Sequence, residues 1–179
     1  MSLRIYGNRL LKTLPGKDTR PTTARVREAI FNIWQERLGG CAWLDLCSGS
    51  GAMGAEALVR GADSVTGIER SPRACSIIQE NWRLVAQETQ KFTLLRGDVG
   101  QKLKKLAGEQ FHLIYFDPPY DGDLYTPVLE LIAQLKILHP TGELAVEHDP
   151  KLPLPKIIGL EICRQKTYSN TGVTFYQPS

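Results

Sequence analysis

Between residues 42 and 147 the sequence alternates short apolar segments with segments whose apolar residues recur every three or four positions. The first kind, at 42–46, 64–69, 92–96, 111–116 and 142–147, predicts buried strands. The second kind, which begins near residues 52, 72, 99 and 124, predicts helices. Because this alternation requires parallel strands joined by crossover helices, we predict an α/β fold with a mostly parallel sheet and helices on both faces.

The two segments after this region depart from the alternation. Segments 160–168 and 173–176 both read as strands, and the short connection between them contains Asn170 and Gly172. Asn and Gly in a short connection favour a hairpin, because both residues tolerate positive φ. The sheet is therefore expected to end in a C-terminal antiparallel hairpin.

Composition excludes several classes of protein. The chain has 179 residues, of which 42% are hydrophobic, and no apolar run is long enough to span a bilayer. Four cysteines without Cys-x-x-Cys spacing and three scattered histidines indicate neither a disulfide framework nor a metal site. No signal peptide is recognisable, so we expect a cytoplasmic protein that does not contact a membrane.

Charge is concentrated at the start of the chain. Residues 1–37 contain eight Lys or Arg against three acidic residues, whereas the remainder is slightly acidic. We predict a basic strand and loop extension over 1–21, with a strand near 3–6 and a loop over 7–21, followed by a single domain over 22–179. The extension is either a contact for a polyanion or an ordinary solvated segment.

A glycine-rich loop follows the first core strand. Gly49, Gly51 and Gly54 match the G-x-G-x-x-G pattern, and Glu69 ends the next strand, where it can bind a ribose. Asp45 precedes the loop, and its carboxylate would repel a dinucleotide pyrophosphate but attract the cationic groups of S-adenosylmethionine. The alternatives are a nicotinamide cofactor, or a tight strand-to-helix turn that binds nothing.

Asp98 follows the third strand of the alternating region. Its carboxylate can accept a hydrogen bond from the amino group of an adenine, with the Val99 amide nearby. It can equally cap the helix that begins at residue 99, and both roles are compatible.

The run Asp117-Pro118-Pro119-Tyr120 follows the strand 111–116. The Asp117 carboxylate and the Pro118 carbonyl can together accept both N–H bonds of an exocyclic amino group. The prolines stiffen the loop, and the Tyr120 ring offers a face on which a base can stack. The alternative is a rigid surface turn without a ligand.

Taken together, these segments resemble the class I S-adenosylmethionine-dependent methyltransferases, whose Rossmann-like sheet has seven strands. Residues 20–32, RPTTARVREAIFN, resemble the N-terminal signature of the RsmD type, the bacterial 16S rRNA guanine-N2 methyltransferases. Cys47-Ser48 departs from the Ala or Gly that is common there.

This resemblance implies direct methylation of a guanine 2-amino group in 16S rRNA by a monomer, on an assembling 30S subunit. It implies a catalytic set and a cofactor set. The catalytic set is Asp117, Pro118 and Tyr120; the cofactor set is Asp45, Ser48, Gly49, Gly51, Glu69, Arg70, Asp98, Val99, Thr22 and Asn32. Arg20, Arg25 and Arg27 are expected to bind RNA phosphates.

Two other functions compete with this one. A DNA adenine-N6 methyltransferase also uses Asp-Pro-Pro-Tyr, although the chain after Tyr120 leaves little room for a target-recognition segment. An RNA-binding module with a vestigial cofactor pocket is the non-enzymatic alternative, and intact motifs at four loops argue against it.

Overall fold

The computed structural model describes residues 2–14, 23–120 and 123–179. Nine strands and five α-helices are found in these residues. The strands are β1 (Ser2–Ile5), β2 (Arg9–Lys12), β3 (Ala42–Leu46), β4 (Ser64–Glu69), β5 (Lys91–Arg96), β6 (Phe111–Phe116), β7 (Leu138–His148), β8 (Leu160–Tyr168) and β9 (Thr171–Pro178). The helices are α1 (Ala24–Ile33), α2 (Ala52–Val59), α3 (Pro72–Val85), α4 (Val99–Lys104) and α5 (Tyr125–Leu135).

The main sheet has seven strands in the order β5-β4-β3-β6-β7-β9-β8. Strands β3 to β7 pair in parallel, and β9 runs antiparallel to both of its neighbours. This arrangement confirms the predicted fold class. The strand order reverses between β3 and β6, and the carboxyl ends of adjacent strands at such a point form the usual ligand crevice of an open α/β sheet.

Apolar side chains fill both faces of the sheet. On one face α1, α2 and α3 contribute to a core that contains Trp34, Trp43 and Trp82. On the other face α4 and α5 pack around Leu103, Ile114 and residues near them. Because helices cover both faces of the sheet, polar side chains can contact a ligand only at the ends of the strands.

The helix starts follow from local sequence. The Thr23 hydroxyl accepts a hydrogen bond from the Val26 amide and begins α1, and the Ser71 hydroxyl does the same for Ala74 in α3. Pro72 occupies the first turn of α3, where its missing N–H costs nothing. Each cap joins residues three positions apart, so it is a local feature of the sequence.

The N-terminal segment differs from its prediction. A second strand, β2, lies within the predicted loop 7–21, and it pairs antiparallel with β1 from Ser2↔Lys12 to Ile5↔Arg9. Leu11 is buried, and the Lys12 amide donates to Asn81 of α3 at 2.9 Å. Packing against α3 therefore orders a segment whose polar composition indicated a loop.

No helix in the described part of the chain is long and apolar enough to cross a membrane. The predicted sites at Arg20 and Thr22 lie outside the described residues.

Candidate active site

The loop after β3 adopts the left-handed conformations that its glycines permit. Gly49 and Gly51 have φ of 57° and 73°, and Cys47 has φ of 60°. The Ser48 hydroxyl donates to the Asp45 carbonyl at 2.8 Å, and the Ser48 amide donates to Ile68 of β4. A Cβ on Gly49 would meet nothing within 4 Å, so the loop leaves open space at this position.

The third glycine of the pattern serves packing. A Cβ on Gly54 would come within 2.6 Å of the Trp82 ring, and one on Gly67 within 2.5 Å. The Trp82 indole also donates to the Gly51 carbonyl at 2.8 Å. Trp82 thereby holds the loop against α3, and the sequence pattern alone could not tell this role from contact with a ligand.

Asp45 is a buried carboxylate with an unused oxygen. Only 1% of the residue is exposed, and its Oδ2 accepts a hydrogen bond from the Gly54 amide at 3.3 Å. Its Oδ1 is buried and has no hydrogen-bond partner in the described structure. Burial raises the pKa of Asp45 to about 7. A cationic or hydrogen-bond-donating ligand would satisfy this oxygen and favour its ionised form.

Glu69 ties the ends of β3 and β4 together. Its Oε2 accepts from the Gly49 amide at 2.9 Å, and its Oε1 accepts from the Ser71 amide at 2.8 Å. Each carboxylate oxygen has a second lone pair, so the half-buried group can still accept from ribose hydroxyls. Arg70 follows as an exposed side chain.

Asp98 caps α4, which is one of the two roles predicted for it. Its Oδ1 accepts a hydrogen bond from the Gln101 amide at 2.9 Å. The residue is exposed, and Val99 beside it is buried at the start of the helix. Contact with an adenine remains a prediction, and it is compatible with this cap because the other carboxylate oxygen is not part of the capping bond.

The Asp117–Tyr120 run lies directly beyond β6, next to the β3 loop. Asp117 and Tyr120 are half-buried, and Pro118 is buried. Burial, followed by the charges of Glu69, Asp117 and Asp45, raises the pKa of the Cys47 thiol to about 12. Three carboxylates from the ends of β3, β4 and β6 thus surround one loop, which is the convergence that the parallel-sheet prediction implies.

Three residues behind this run were not predicted from the sequence. The Tyr125 hydroxyl donates to the Glu147 carbonyl at 3.1 Å, and the Tyr115 hydroxyl donates to the buried Glu147 carboxylate at 2.7 Å. Burial, with the charges of Asp117 and Tyr120 after it, raises the pKa of Tyr125. Glu147 could have been found from the sequence, because an acidic residue there ends the apolar run 142–147.

The structure contradicts the prediction that Arg27 binds RNA phosphates. Only 2% of Arg27 is exposed; its Nε donates to Glu56 at 2.7 Å and its Nη2 donates to the Arg4 carbonyl at 2.9 Å. Its guanidinium therefore joins α1 to α2 and to the N-terminal hairpin. Arg25, on the same helix, is exposed, and its predicted contact with RNA stays a prediction.

The assignment of Asn32 to the cofactor set stays a prediction. Asn32 is in the last turn of α1 and lines a surface cavity with Arg60, the residue that ends α2. Ala24 and Glu28 line the same cavity, so it extends along α1 from the first residue of the helix.

The strand order and the glycine-rich loop are common to nucleotide-binding folds, but the buried acid is not. A pyrophosphate beside Asp45 would add a second negative charge to an already unfavourable one. The fold is therefore that of a Rossmann-like methyltransferase, and Asp45 lies at the strand ends, where open α/β sheets bind their ligands.

Comparison with known proteins identifies the family. A family model described as "Conserved hypothetical protein 95" matches residues 3–177, so the chain belongs to this family, the RsmD family. The Bacillus subtilis protein named "Putative rRNA methyltransferase YlbH" is 35% identical over 172 residues, which are 94% of this chain and 93% of the relative. The predicted family and the predicted methyltransferase activity are confirmed.

More distant relatives agree with this assignment. "Ribosomal RNA small subunit methyltransferase D" of Haemophilus influenzae is 26% identical, with 97% of this chain and 89% of the relative covered. The solved structure of "Putative methyltransferase yhhF from Escherichia coli" superposes with a TM-score of 0.85 at 26% identity. That superposition covers 100% of this chain and 99% of the other.

Proposed function

We propose that this protein methylates the exocyclic N2 of a guanine in 16S rRNA, with S-adenosylmethionine as methyl donor, as a cytoplasmic monomer acting on an assembling small subunit. One observation carries the proposal. The buried Asp45 oxygen without a partner lies at the same strand-end crevice as the Asp117–Tyr120 run. The relatives named for small-subunit rRNA support the choice of RNA as substrate.

The residues of the β3 loop fit the proposed cofactor. The unused Asp45 Oδ1 suits a cation, the open space at Gly49 admits a close approach, and Glu69 and Asp98 can accept from ribose hydroxyls and an adenine amino group. Ser48 supports this site indirectly, since its hydroxyl already bonds to Asp45 O. S-adenosylmethionine, when bound, supplies a methyl group on a positively charged sulfur.

Asp117 and Pro118 would prepare the guanine amine. The N2 lone pair is delocalised into the ring, which makes N2 a weak nucleophile. Two acceptors held by a stiff loop orient both N–H bonds and favour a pyramidal nitrogen, whose lone pair forms the new C–N bond as the C–S bond breaks. The nitrogen then loses one proton, to the Asp117 carboxylate or to water. Tyr120 would stack on the base after it leaves its helix.

The basic N-terminal region would contact the RNA backbone. Arg25 is exposed on the first turn of α1, and Arg20 precedes it in the chain. Arginine side chains on an exposed helix start contribute an attraction that depends on salt but little on base sequence. Such contacts would dock the protein, and the Asp117–Tyr120 run would select the base.

The test compares Asp117→Asn with Asp63→Asn, an exposed aspartate before β4 at the opposite end of the sheet. Labelled methyl transfer is measured on naked 16S rRNA and on small subunits from cells that lack this gene. Asp117→Asn should lose roughly 100-fold or more of kcat and keep its cofactor affinity, because the interaction acts on the amine. Asp63→Asn should match the wild type.

An active Asp117→Asn variant would overturn the assigned role of this run. Digestion of the labelled RNA identifies the modified base. N2-methylguanine is the expected product, and N6-methyladenine would replace the proposal with the adenine alternative.

A further inference from the structure

Asp117 and Pro118 by themselves do not select guanine. They accept the two N–H bonds of an amine, and the N2 of guanine and the N6 of adenine both offer these. The purines differ at the neighbouring ring nitrogen, because N1 of guanine carries a hydrogen whereas N1 of adenine is an acceptor. A second fixed acceptor beside the amine pocket would therefore favour guanine and repel adenine.

The end of β7 lies next to the end of β6. The two strands pair in parallel with Phe116 opposite Val146, so the segments that leave them are neighbours. Tyr125 contacts both: its ring packs edge-on against Phe116 with centroids 6.0 Å apart, and its hydroxyl donates to the Glu147 carbonyl. Asp149 follows that carbonyl by two residues.

Asp149 is held in place from two sides. Its Oδ1 accepts from the Lys151 amide at 2.9 Å, and its carbonyl lies 2.9 Å from Nδ1 of the buried His148. Because a carbonyl only accepts, this Nδ1 carries a proton, and Nε2 is hydrogen-bonded to the Thr174 hydroxyl at 2.9 Å. The backbone at Asp149 is thereby anchored to β9.

The second Asp149 oxygen is available to a ligand. The residue is half-buried, and no donor among the described residues bonds to Oδ2. Glu147 is a poorer candidate because it is 3% exposed and its carboxylate already accepts from Tyr115. The charge of Asp149, like those of Asp117 and Tyr120, also raises the pKa of Tyr125, which agrees with a common location around that hydroxyl.

We propose that Asp149 determines specificity for guanine, its carboxylate accepting the N1–H bond while Asp117 and Pro118 hold the 2-amino group. This inference rests on the proposed function and adds a recognition residue to it. The adenine N1 lone pair would face the Asp149 carboxylate, and this repulsion excludes adenine even though Asp117 accepts its amine.

The experiment changes the purine and Asp149 together. Small subunits are reconstituted with guanine, 2-aminopurine or adenine at the modified position, and methyl transfer is measured for the wild type and for Asp149→Asn. 2-Aminopurine keeps the 2-amino group but has an acceptor at N1. The asparagine side chain of this variant can retain the Lys151 bond through its oxygen and donate to that acceptor through its amide.

The wild type should prefer guanine over 2-aminopurine, and Asp149→Asn should lower this preference in kcat/KM by about 10-fold to 100-fold, the usual range for exchanging a charged hydrogen bond. Asp149→Ala should lower it less, since alanine removes the acceptor without adding a donor. Asp63→Asn should leave the preference unchanged. Melting curves of each variant separate this effect from misfolding.

An unchanged preference in both folded Asp149 variants would overturn the inference. A wild type that modifies adenine, or that modifies no base, would instead overturn the proposed function. The two failures are distinguishable. The first is measured by comparing the preference for guanine between variants, and the second by the base that the wild type alone modifies.

Discussion

Two buried carboxylates, Asp45 and Glu56, lie eleven residues apart and are each 1% exposed, yet their surroundings are opposite. Glu56 on α2 accepts from Arg27 at 2.7 Å and from Arg60 at 2.9 Å. Asp45 on β3 accepts a single amide bond, and its Oδ1 has no partner among the described residues.

The difference separates a structural charge from one directed at a ligand. Glu56, Arg27 and Arg60 form a cluster, the Glu56 cluster, that joins α1, α2 and the N-terminal hairpin, and the Glu56 carboxylate is paired with two arginines of the same chain. Asp45 is left incompletely solvated at a strand end, where only a molecule from outside can compensate it. A buried charge without a partner destabilises the folded state. Proteins keep such a charge where ligand binding requires it.

The largest change in the free energy of unfolding is expected from a substitution in the Glu56 cluster. Glu56→Gln should lower the free energy of unfolding by about 3–5 kcal/mol, because it leaves the buried Arg27 charge without its counter-charge. Urea unfolding with an unchanged m-value measures this loss. The matched control is Glu80→Gln, which breaks the exposed Lys12–Glu80 pair and should cost under about 1 kcal/mol. Equal losses in the two variants would refute the structural role of the cluster.

The second prediction concerns pH and Asp45. Its folded pKa of about 7 lies above the ordinary value of 3.8, so the folded state binds more protons between these values. The free energy of unfolding should therefore fall as the pH rises from about 4 to 7, by up to about 4 kcal/mol. Asp45→Asn removes this titration and should flatten the profile relative to the wild type.

The same variant links stability to binding. Above pH 7, Asp45→Asn should be more stable than the wild type without ligand but bind S-adenosylmethionine roughly 10-fold more weakly, a loss of about 1.4 kcal/mol. Calorimetric titration measures the affinity, with the exposed Asp63→Asn as control. Parallel pH profiles of stability for wild type and Asp45→Asn would show that folding does not raise the pKa of Asp45.

A third prediction contrasts two glycines of the loop. Gly54→Ala should cost about 1–3 kcal/mol and alter tryptophan fluorescence, because the new Cβ would overlap the Trp82 ring. Gly49→Ala meets no atoms and should cost only about 1 kcal/mol, from its φ of 57°. A larger loss of stability in Gly49→Ala than in Gly54→Ala would reverse the roles assigned to them.

The smallest effect on stability is expected at Arg25. Arg25→Gln should change the free energy of unfolding by less than about 0.5 kcal/mol, since the side chain is exposed. It should reduce the slope of log affinity for RNA against log salt by about 0.7–0.9, the contribution of one phosphate contact. Arg83→Gln, an exposed arginine near the end of α3, is the control, and an equal slope in both variants would remove Arg25 from the interface.

The local sequence by itself determines most secondary-structure elements and the approximate position of the site. The strand–helix alternation, the caps at Thr23, Ser71 and Asp98, and the positions of the glycine-rich loop and the Asp117–Tyr120 run depend on short-range geometry. Each of these features is set by residues a few positions apart. Parallel pairing then brings every polar strand end to one edge of the sheet, so the approximate site follows from the order of elements.

Only the tertiary structure decided what each charged or small residue does. Arg27 and Arg25 are two positions apart on α1, yet the packing of α1 on α2 buries the first and exposes the second. Gly54 and Gly49 belong to one pattern, but of these two only Gly54 lies against Trp82. The unpaired oxygen of Asp45 and the position of Asp149 beside Tyr125 depend on packing between residues far apart in the chain. No local sequence pattern records which of these residues are buried or how close together they lie.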